Sequence, residues 1–391
     1  MTVTQHRGAP LTWKEHRAIE DAVKRTPEAL TALAERVRSV GAAAGLAAVG
    51  VTTAEPLIGA REQINQRVAA GQHAGMVFTF SRPEKATTPK RLLPDAASVI
   101  VGAWPYAFQV PEPTGLLEGR IARYQWVDHY GALRIALKSI ARELKDHGWR
   151  ARVLADDNAL VDRAAAHRAG IGWFGKNANI LIPHHGSWFV LGSVVTDAPL
   201  EPAAEPVADG CGTCTRCIPA CPTGAIVAPG VIDARRCLAW LVQAPGDIPD
   251  EFRVAMHDRI YGCDDCQEVC PENRLGARRV APPKAPPEAV SVTELQWLAT
   301  APDTELLDRF GRWWLPNRNP DVLRRNAVVA LGNIGHPDDQ SLRTLLACLA
   351  RREQQDPLLS APTEVVASHA AWAIDRLNRR AASAASSDLS P

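Results

Sequence analysis

Four cysteines of this chain lie close together in a spacing that suits an iron–sulfur cluster. They follow the pattern C-x2-C-x2-C-x3-C-P within eleven positions of the 391-residue sequence. In bacterial ferredoxins, three cysteines of such a run bind one [4Fe–4S] cluster and the fourth binds a second cluster. The run therefore predicts that further cysteine ligands lie elsewhere in the chain. The four residues are Cys211, Cys214, Cys217 and Cys221.

A second cysteine run supplies three of the four ligands still needed. The stretch "CDDCQEVCP" repeats the last three cysteines and the proline, but Ile260 stands where the first cysteine would be. Cys237 is the one other cysteine nearby, so we expect it to complete the set. Eight thiolates then bind two clusters. We predict that Cys211, Cys214, Cys217 and Cys270 bind one cluster, and that Cys221, Cys237, Cys263 and Cys266 bind the other.

Zinc binding and disulfide formation are two alternative uses of these cysteines. A zinc site also uses C-x2-C pairs, and disulfides are typical of small secreted proteins. The remaining cysteines of each run and the prolines that follow have no role at zinc, which favours the clusters. The ninth cysteine, Cys348, lies in the apolar run "LRTLLACLA" and is predicted to be a buried structural thiol.

Composition limits where the chain works and what it binds. The sequence has 44 Lys and Arg against 43 Asp and Glu, so a polyanionic partner would have to meet a local patch. The amino-terminal sequence contains neither an apolar signal core nor a twin arginine, and no apolar run approaches the ~18 residues of a spanning helix. We expect a cytoplasmic protein that does not enter the membrane, in which reduced cysteines are available for metal.

Two proline-rich stretches, 199–210 and 278–289, divide the sequence into units. Short Val- and Ile-rich runs such as "ASVIVGAW", "ARVLA" and "SWFVLGSVVT" alternate with helical patterns before the first stretch, which predicts an α/β layer fold. After the second stretch, two helical hairpins with the pattern "RRNAVVALGNIG" indicate HEAT-like repeats. We predict an α+β/α multidomain protein with an α/β unit (1–204), a cluster unit (205–287), α-helical HEAT-like repeats (288–380) and a disordered tail (381–391).

The clusters need an electron acceptor, and the α/β unit offers few known cofactor patterns. No G-x-G-x-x-G follows a predicted strand, so a nicotinamide site is not indicated. The D-x-H-x-x-G pattern of a histidine-ligated cobalamin is also missing. Asp157 precedes a helical run and is predicted to cap that helix. The same carboxyl group, held in a closed pocket, could serve as a general acid, and the two roles are compatible.

Taken together, several stretches resemble the tRNA epoxyqueuosine reductases, from near residue 30 to near residue 380. The resemblance implies a nitroreductase-like α/β cobalamin domain with no histidine below the cobalt, a bacterial-ferredoxin-like domain with two [4Fe–4S] clusters, and helical repeats that help to dock tRNA. Such enzymes remove the epoxide oxygen from epoxyqueuosine at the wobble position of tRNA, the last step of queuosine biosynthesis. The stretches are "GRIARYQWVDHYG", "DNALVDRAAAHRAGIGWFGKN", "GSWFVLGSVVTDAPL", "RIYGCDDCQEVCP", "VLRRNAVVALGNIG" and the eight cysteines.

The resemblance also implies roles for single residues and partners. It places the catalytic acid at Asp157, which would also contact the cofactor. The partners it implies are the anticodon stem-loop of a tRNA and an external low-potential electron donor, and we expect a monomer. Lys176 and Asn177 either bind a phosphate or amide of the cofactor or are structural. Corrin contacts are expected from Ala122, Leu181, Ala239 and Asp264.

Sequence features relevant to RNA binding are few. Arg324, Arg325, Arg351 and Arg352 either form a row that faces phosphates or pair with acidic neighbours on a solvated surface. Trp313 and Trp314 either stack on a base or, as we expect, pack in the core.

Three other functions share some of these features. A reductive dehalogenase would usually carry a twin arginine and lack the repeats. An electron carrier without its own substrate leaves the first 200 residues unexplained. An RNA-binding repeat protein with structural clusters predicts no corrin.

Overall fold

The computed structural model describes residues 22–112, 115, 117–203, 205–352 and 363–387, with side chains up to residue 384. Residues 1–21 of the predicted α/β unit and 388–391 of the predicted tail lie outside these ranges. The strands are β1 (Ala48–Thr53), β2 (Ser98–Pro105), β3 (Glu118–Ile121), β4 (Ala151–Ala155), β5 (Trp173–Phe174), β6 (Ile180–Leu181), β7 (Phe189–Thr196), β8 (Ile226–Ala228), β9 (Val231–Ile232), β10 (Arg259–Tyr261) and β11 (Val292–Glu294).

Helices account for most of the remaining regular structure, and three short 3-10 turns span Pro89–Arg91, Arg123–Gln125 and Pro316–Arg318. Within the described part of the chain, no helix has the length and apolar character needed to cross a membrane. The helices are α1 (Pro27–Ala43), α2 (Ile58–Ala69), α3 (Pro83–Ala86), α4 (His129–Asp146), α5 (Asp162–Arg168), α6 (Cys217–Ala220), α7 (Leu238–Leu241), α8 (Asp250–Met256), α9 (Asp265–Glu268), α10 (Pro271–Arg279), α11 (Leu295–Thr300), α12 (Asp303–Phe310), α13 (Asp321–Ile334), α14 (Gln340–Ala350) and α15 (Glu364–Ser387).

A four-stranded antiparallel sheet, in the order β1-β2-β7-β4, forms the centre of the first unit. Its strands β2, β4 and β7 lie where the Val- and Ile-rich runs predicted them. One core packs α1 and α4 against one face of the sheet, and a second core packs α5 against the other. Helix α4 begins where the Asp128 carboxylate accepts the Gly131 N–H at 2.8 Å, and it ends just before Gly148, as predicted.

The predicted units are joined by a second sheet to which each unit contributes one strand. Strand β3 pairs in parallel with β10 of the cluster unit and antiparallel with β11, which precedes the helical unit. A single hydrophobic core also runs from Ile121 through Leu238 and Met256 to Leu377. The cluster and helical units therefore share one core, although the sequence boundary between them was expected at residue 287.

Helix α13 holds the cluster unit through buried polar side chains rather than facing solvent. Arg325 is 1% exposed and donates to the carbonyl oxygens of Leu241, Ala244 and Gly246. Its neighbour Asn326 donates to the carbonyls of Val242 and Ile260 at 2.6 and 2.8 Å. A buried guanidinium needs such acceptors, and burial lowers its pKa to about 10. The prediction that Arg325 faces phosphates is therefore wrong.

The carboxy-terminal unit contains three long helices in its described part, rather than two hairpins of equal size. Helices α13 and α14 follow each other in the chain, and the longer α15 packs against both. Arg324 pairs with Asp321 and Asp303, at 2.7 and 2.6 Å, which fits the acidic-neighbour alternative. Helix α15 continues to Ser387, so the predicted disordered tail is wrong for residues 381–387, whose Ala-rich sequence favours helix.

We predict that Arg325→Ala lowers the free energy of unfolding by about 3 kcal/mol or more, because three buried carbonyls lose their donor. Arg379→Ala is the matched control, since Arg379 lies exposed on α15. It should change the free energy by less than about 0.5 kcal/mol. Urea unfolding followed by circular dichroism measures both variants. Equal midpoints for Arg325→Ala and the parent chain would contradict the role given to Arg325.

Stability should also depend on the protonation of His369, which is fully buried in α15. Its Nδ1 lies 2.7 Å from the Val365 carbonyl, and its Nε2 accepts the Ile248 N–H at 3.1 Å, so the ring is neutral. Burial, followed by Arg253, lowers its pKa to about 4. The unfolded chain therefore binds the proton first, and stability falls as pH drops from about 6.5 towards 4.

Between pH 7 and pH 5 the loss due to His369 should be about 2 kcal/mol. His369→Gln keeps an acceptor for the Ile248 N–H but cannot titrate. Unfolding midpoints measured across this range should therefore fall less steeply in this variant than in the parent chain. Parallel slopes would show that His369 is not the titrating group.

Candidate functional site

All nine cysteines are half-buried. Three of the eight predicted ligands stand at helix starts: Cys217 begins α6, while Cys237 and Cys270 are the residues just before α7 and α10. The prolines after Cys221 and Cys270 follow extended cysteines, as the ring of a following proline requires. Cys348 is half-buried rather than buried, so the prediction for this residue was only partly right.

The surroundings of the thiols divide the eight cysteines into two groups. Burial raises the pKa of Cys217, and the next charged neighbours that raise it are Cys211, Cys270 and Cys214. Burial likewise raises the pKa of Cys266, followed in order by Cys263, Cys237, Cys221 and Cys217. Apart from Cys217, these neighbours belong to the ligand sets expected from sequence, and the assignment itself stays a prediction.

Two groups of four cysteines suit [4Fe–4S] clusters, because each cysteine ligand binds a different iron. The four ligands therefore surround the cluster instead of meeting at a single metal ion. Consistent with such spacing, the described residues contain no three His, Cys, Asp or Glu side chains that could hold a single metal ion. The Ala225 N–H donates to Cys221 Sγ at 3.2 Å. Hydrogen bonds to cluster sulfurs are one means by which proteins set cluster potentials.

Buried hydrogen bonds attach the second cysteine run to the α/β unit. Asn273 accepts the Ser187 N–H at 2.6 Å and donates to the Gln267 carbonyl at 2.7 Å. Gln267 donates in turn to Tyr106 Oη and to Ser187. Gly186 has φ +81° and lies so close to Asn273 that an added Cβ would be 2.0 Å from its oxygen. The packing therefore requires glycine at this position.

Lys176 and Asn177 contact the cluster unit directly. The Lys176 ammonium donates to the Gly212 carbonyl at 2.7 Å, and the Asn177 amide donates to the Cys266 carbonyl at 3.3 Å. Both contacts fit the structural alternative for these residues. Their role as cofactor contacts stays a prediction.

Three of the expected corrin contacts lie around Tyr124. Asp264 accepts the Arg123 N–H at 2.8 Å, and Ala122 donates its own N–H to the Tyr261 carbonyl. Gln243 links the Ala239 carbonyl to Tyr124 Oη, at 2.6 and 3.2 Å. Leu181 is 1% exposed in β6, opposite Trp173. Its cofactor contact stays a prediction.

Asp264 is half-buried by surface area, yet burial is the main cause that raises its pKa to about 6. Asp162 shows the same combination, with a pKa raised well above the usual range by burial and then by Asp156. Surrounding protein atoms disfavour the charged form of a carboxyl group, even where part of its surface is exposed. Carboxyl groups in such surroundings can stay protonated near neutral pH.

All four tyrosines of the chain form one cluster near Asp156 and Asp264, although they are far apart in sequence. Burial raises the pKa of each one, and Tyr124 adds to the effect at the other three. Their hydroxyls therefore stay protonated at neutral pH. Sequence reasoning missed this cluster, and its only sign was the scarcity of tyrosine in the chain. The tyrosines are Tyr106, Tyr124, Tyr130 and Tyr261.

The loop between β4 and α5 carries two adjacent carboxylates with different surroundings. Asp157 Oδ1 accepts the Ala159 N–H at 2.8 Å, which closes a turn five residues before the helix begins at Asp162. The prediction that Asp157 caps the helix is therefore wrong. Asp156 has φ +54°, an uncommon conformation for a residue with a side chain.

Asp156 is the carboxylate of this loop that lies near the tyrosines. It contributes to the raised pKa values of Tyr130, Tyr124 and Tyr261. Burial raises its own pKa, and Arg134 opposes that effect. The sequence "ADDN" offers both carboxylates, and the resemblance assigns the catalytic role to the second.

Comparisons with known proteins agree with this arrangement. Residues 210–273 match the family model of a 4Fe-4S double cluster binding domain. The chain is 34% identical over 342 residues to the epoxyqueuosine reductase of Bacillus subtilis, covering 85% of this chain and 84% of the relative. It is 34% identical over 373 residues to that of Escherichia coli, covering 90% and 92%.

Solved structures of the same proteins are also similar. A crystal structure of epoxyqueuosine reductase with an epoxyqueuosine-modified tRNA-Tyr stem loop matches with a TM-score of 0.77 and 33% identity, over 88% of this chain and 90% of that one. The Bacillus subtilis structure described with its aspartate catalytic loop swung out of the active site matches with the same values.

We predict that the chain binds about eight irons as two clusters, and that Cys237→Ala lowers this to about four, because Cys237 belongs to one ligand set only. Iron analysis and electron paramagnetic resonance after anaerobic reconstitution measure the content. Cys348→Ala is the matched control and should keep the full iron content. Full iron content in Cys237→Ala would exclude this residue as a ligand.

Proposed function

The chain belongs to the epoxyqueuosine reductase family, and on this premise we propose that it reduces epoxyqueuosine to queuosine in tRNA, at the wobble position, as the last step of queuosine biosynthesis. The observation that carries the proposal is the cluster of four tyrosines with Asp156 and Asp264, next to the residues that follow Cys237 and Cys263. We infer that the substrate cleft lies beside this cluster. The relative solved with a modified tRNA stem loop supports tRNA as the substrate.

We propose that cobalamin binds beside this cluster, with Ala122 and Ala239 among its contacts. Gly262 packs against Ala122, and an added Cβ at Gly262 would lie 2.5 Å from the Ala122 Cβ. Asp264 and Leu181 are the further contacts we propose, while Lys176 and Asn177 support the adjoining loop. When bound, the clusters and cobalamin supply single-electron transfer at low potential and cobalt chemistry respectively, fed by an external donor.

Removal of the epoxide oxygen as water takes two electrons and two protons, and the chain must supply the protons at the oxygen. We propose Asp157, to which the resemblance assigns this role, as the acid. In this structure its carboxylate accepts the Ala159 N–H, and Asp156 precedes it in the same loop. Tyr124 and Tyr130 stay protonated, so their hydroxyls can donate hydrogen bonds to the oxygen.

The same proposal covers the setting in which the enzyme acts. A tRNA substrate places it in the cytoplasm, and the cysteines stay reduced there. A monomer is sufficient, because one chain contributes both ligand sets and every carboxylate and tyrosine of the cleft.

We predict that Asp157→Asn lowers the rate of epoxide reduction by about 10²- to 10⁴-fold, because the amide cannot supply the proton although its oxygen still accepts the Ala159 N–H. Asp156→Asn is the matched control, since asparagine also tolerates the φ of +54° at this position. It should cost about tenfold or less. The measurement is the loss of one oxygen mass at the wobble nucleoside, after anaerobic reconstitution with iron, sulfide and cobalamin.

The outcomes separate two errors. If only Asp156→Asn abolishes turnover while iron and cobalamin stay bound, the acid is Asp156. If the parent chain binds both cofactors but leaves the nucleoside unchanged, the proposed substrate is wrong.

A further inference from the structure

Trp313 and Trp314 are adjacent in sequence but lie in opposite environments. Trp313 is 4% exposed and stacks on Tyr261 and Phe310, with ring centroids 4.3 and 4.4 Å apart. Trp314 is 48% exposed and stacks on Trp240 at 5.7 Å, with an angle of 27° between the rings. The expectation that both tryptophans pack in the core is therefore wrong for Trp314.

The backbone holds Trp314 in this outward position. Its carbonyl accepts the Tyr261 hydroxyl at 2.9 Å, and the buried Trp313 anchors the residue before it. The next turn places Asn317 and Arg318 at φ +53° and +55°, two consecutive left-handed residues that are not glycine. Such conformations are costly and concentrate at functional sites. The surrounding packing thus fixes an exposed indole beside a strained polar loop.

The Trp314–Trp240 pair lies near the cleft. Trp240 belongs to α7, which begins directly after Cys237. Within the same segment, the Gln243 N–H donates to the Trp240 carbonyl and the Gln243 side chain donates to Tyr124 Oη. Tyr261, which binds the Trp314 carbonyl, is itself one of the four clustered tyrosines. Trp314 therefore contacts the tyrosine cluster through Tyr261, and Trp240 is linked to it through Gln243 and Tyr124.

Charge near the pair favours an anionic partner. Arg318, four residues after Trp314, is exposed. Its guanidinium donates one long hydrogen bond, of 3.4 Å, to the Gly311 carbonyl, so its other N–H donors can bind a partner. Arg312 lies on the other side of the tryptophans and donates to Gln125. An exposed aromatic ring flanked by arginine is the combination that single-stranded RNA uses, with bases on the ring and phosphates at the cation.

We propose that Trp314, which stacks on Trp240, also stacks on a nucleobase of the tRNA anticodon loop, and that Arg318 binds the adjoining phosphate. This inference rests on the proposed function and names the residues that hold the substrate loop at the cleft. Unpaired bases of a loop are free to stack on an aromatic face, whereas paired bases are not. The pair thus selects an unstacked loop without reading its sequence.

The test is binding of an anticodon stem-loop RNA to the reconstituted protein, with and without the modified nucleoside. Trp314→Ala should weaken binding about 5- to 150-fold, and Trp314→Phe should retain most of it, because any flat ring can stack. In turnover, Trp314→Ala should raise KM much more than it lowers kcat. Arg318→Gln should weaken binding and lower its dependence on salt by about one phosphate contact.

Phe174→Ala is the matched control, because Phe174 is an exposed aromatic residue, at 42%, that contacts His167. It should bind the stem-loop as the parent chain does. Trp314→Ala binding within twofold of the parent chain, with an unchanged unfolding temperature, would overturn the inference. So would equal losses for the alanine and phenylalanine variants. Binding of the unmodified stem-loop tests the stacking even if the proposed reaction is wrong.

Discussion

The arrangement of the site depends on backbone carbonyls of residues 241–260 that are buried away from water. A buried carbonyl without a donor is costly, and this segment has too little regular structure to satisfy its own. Helix α13 supplies the donors: Arg325 and Asn326 near its start, and Asn333 near its end, which binds the carbonyls of Arg253 and His257. The helical unit is therefore part of the scaffold of the site.

The opposite side of the cluster unit is held in a similar way. Asn273 and Gln267 bond to Ser187 at the start of β7, so a central strand of the α/β sheet is fixed to the second cysteine run. With both sides attached by buried hydrogen bonds, the cysteines cannot move independently of the tyrosines and carboxylates. Such positioning from neighbouring residues is what a site with closely spaced electron and proton donors needs.

The features that were predicted correctly depend on short stretches of sequence. The strands β2, β4 and β7 come from β-branched runs, and the cysteine spacing carries its own chemistry, so neither needed knowledge of distant contacts. The errors came from tertiary contacts. Nothing in "LRRNAV" says that Arg325 faces inward, because its acceptors lie about 80 residues earlier. Asp156 and Asp157 are equivalent until the fold gives one of them a turn to close, and the four tyrosines meet only through packing.

The sheet formed by β3, β10 and β11 also bears on how the protein is made. Its central strand, β3, is synthesised more than 130 residues before β10 and more than 170 before β11. The four-stranded sheet is complete by Thr196, so the first unit can fold while the ribosome is still translating the cysteine runs. During that interval β3 has both edges unpaired. The eight cysteines therefore reach their final surroundings only late in synthesis, after the helical unit has left the ribosome.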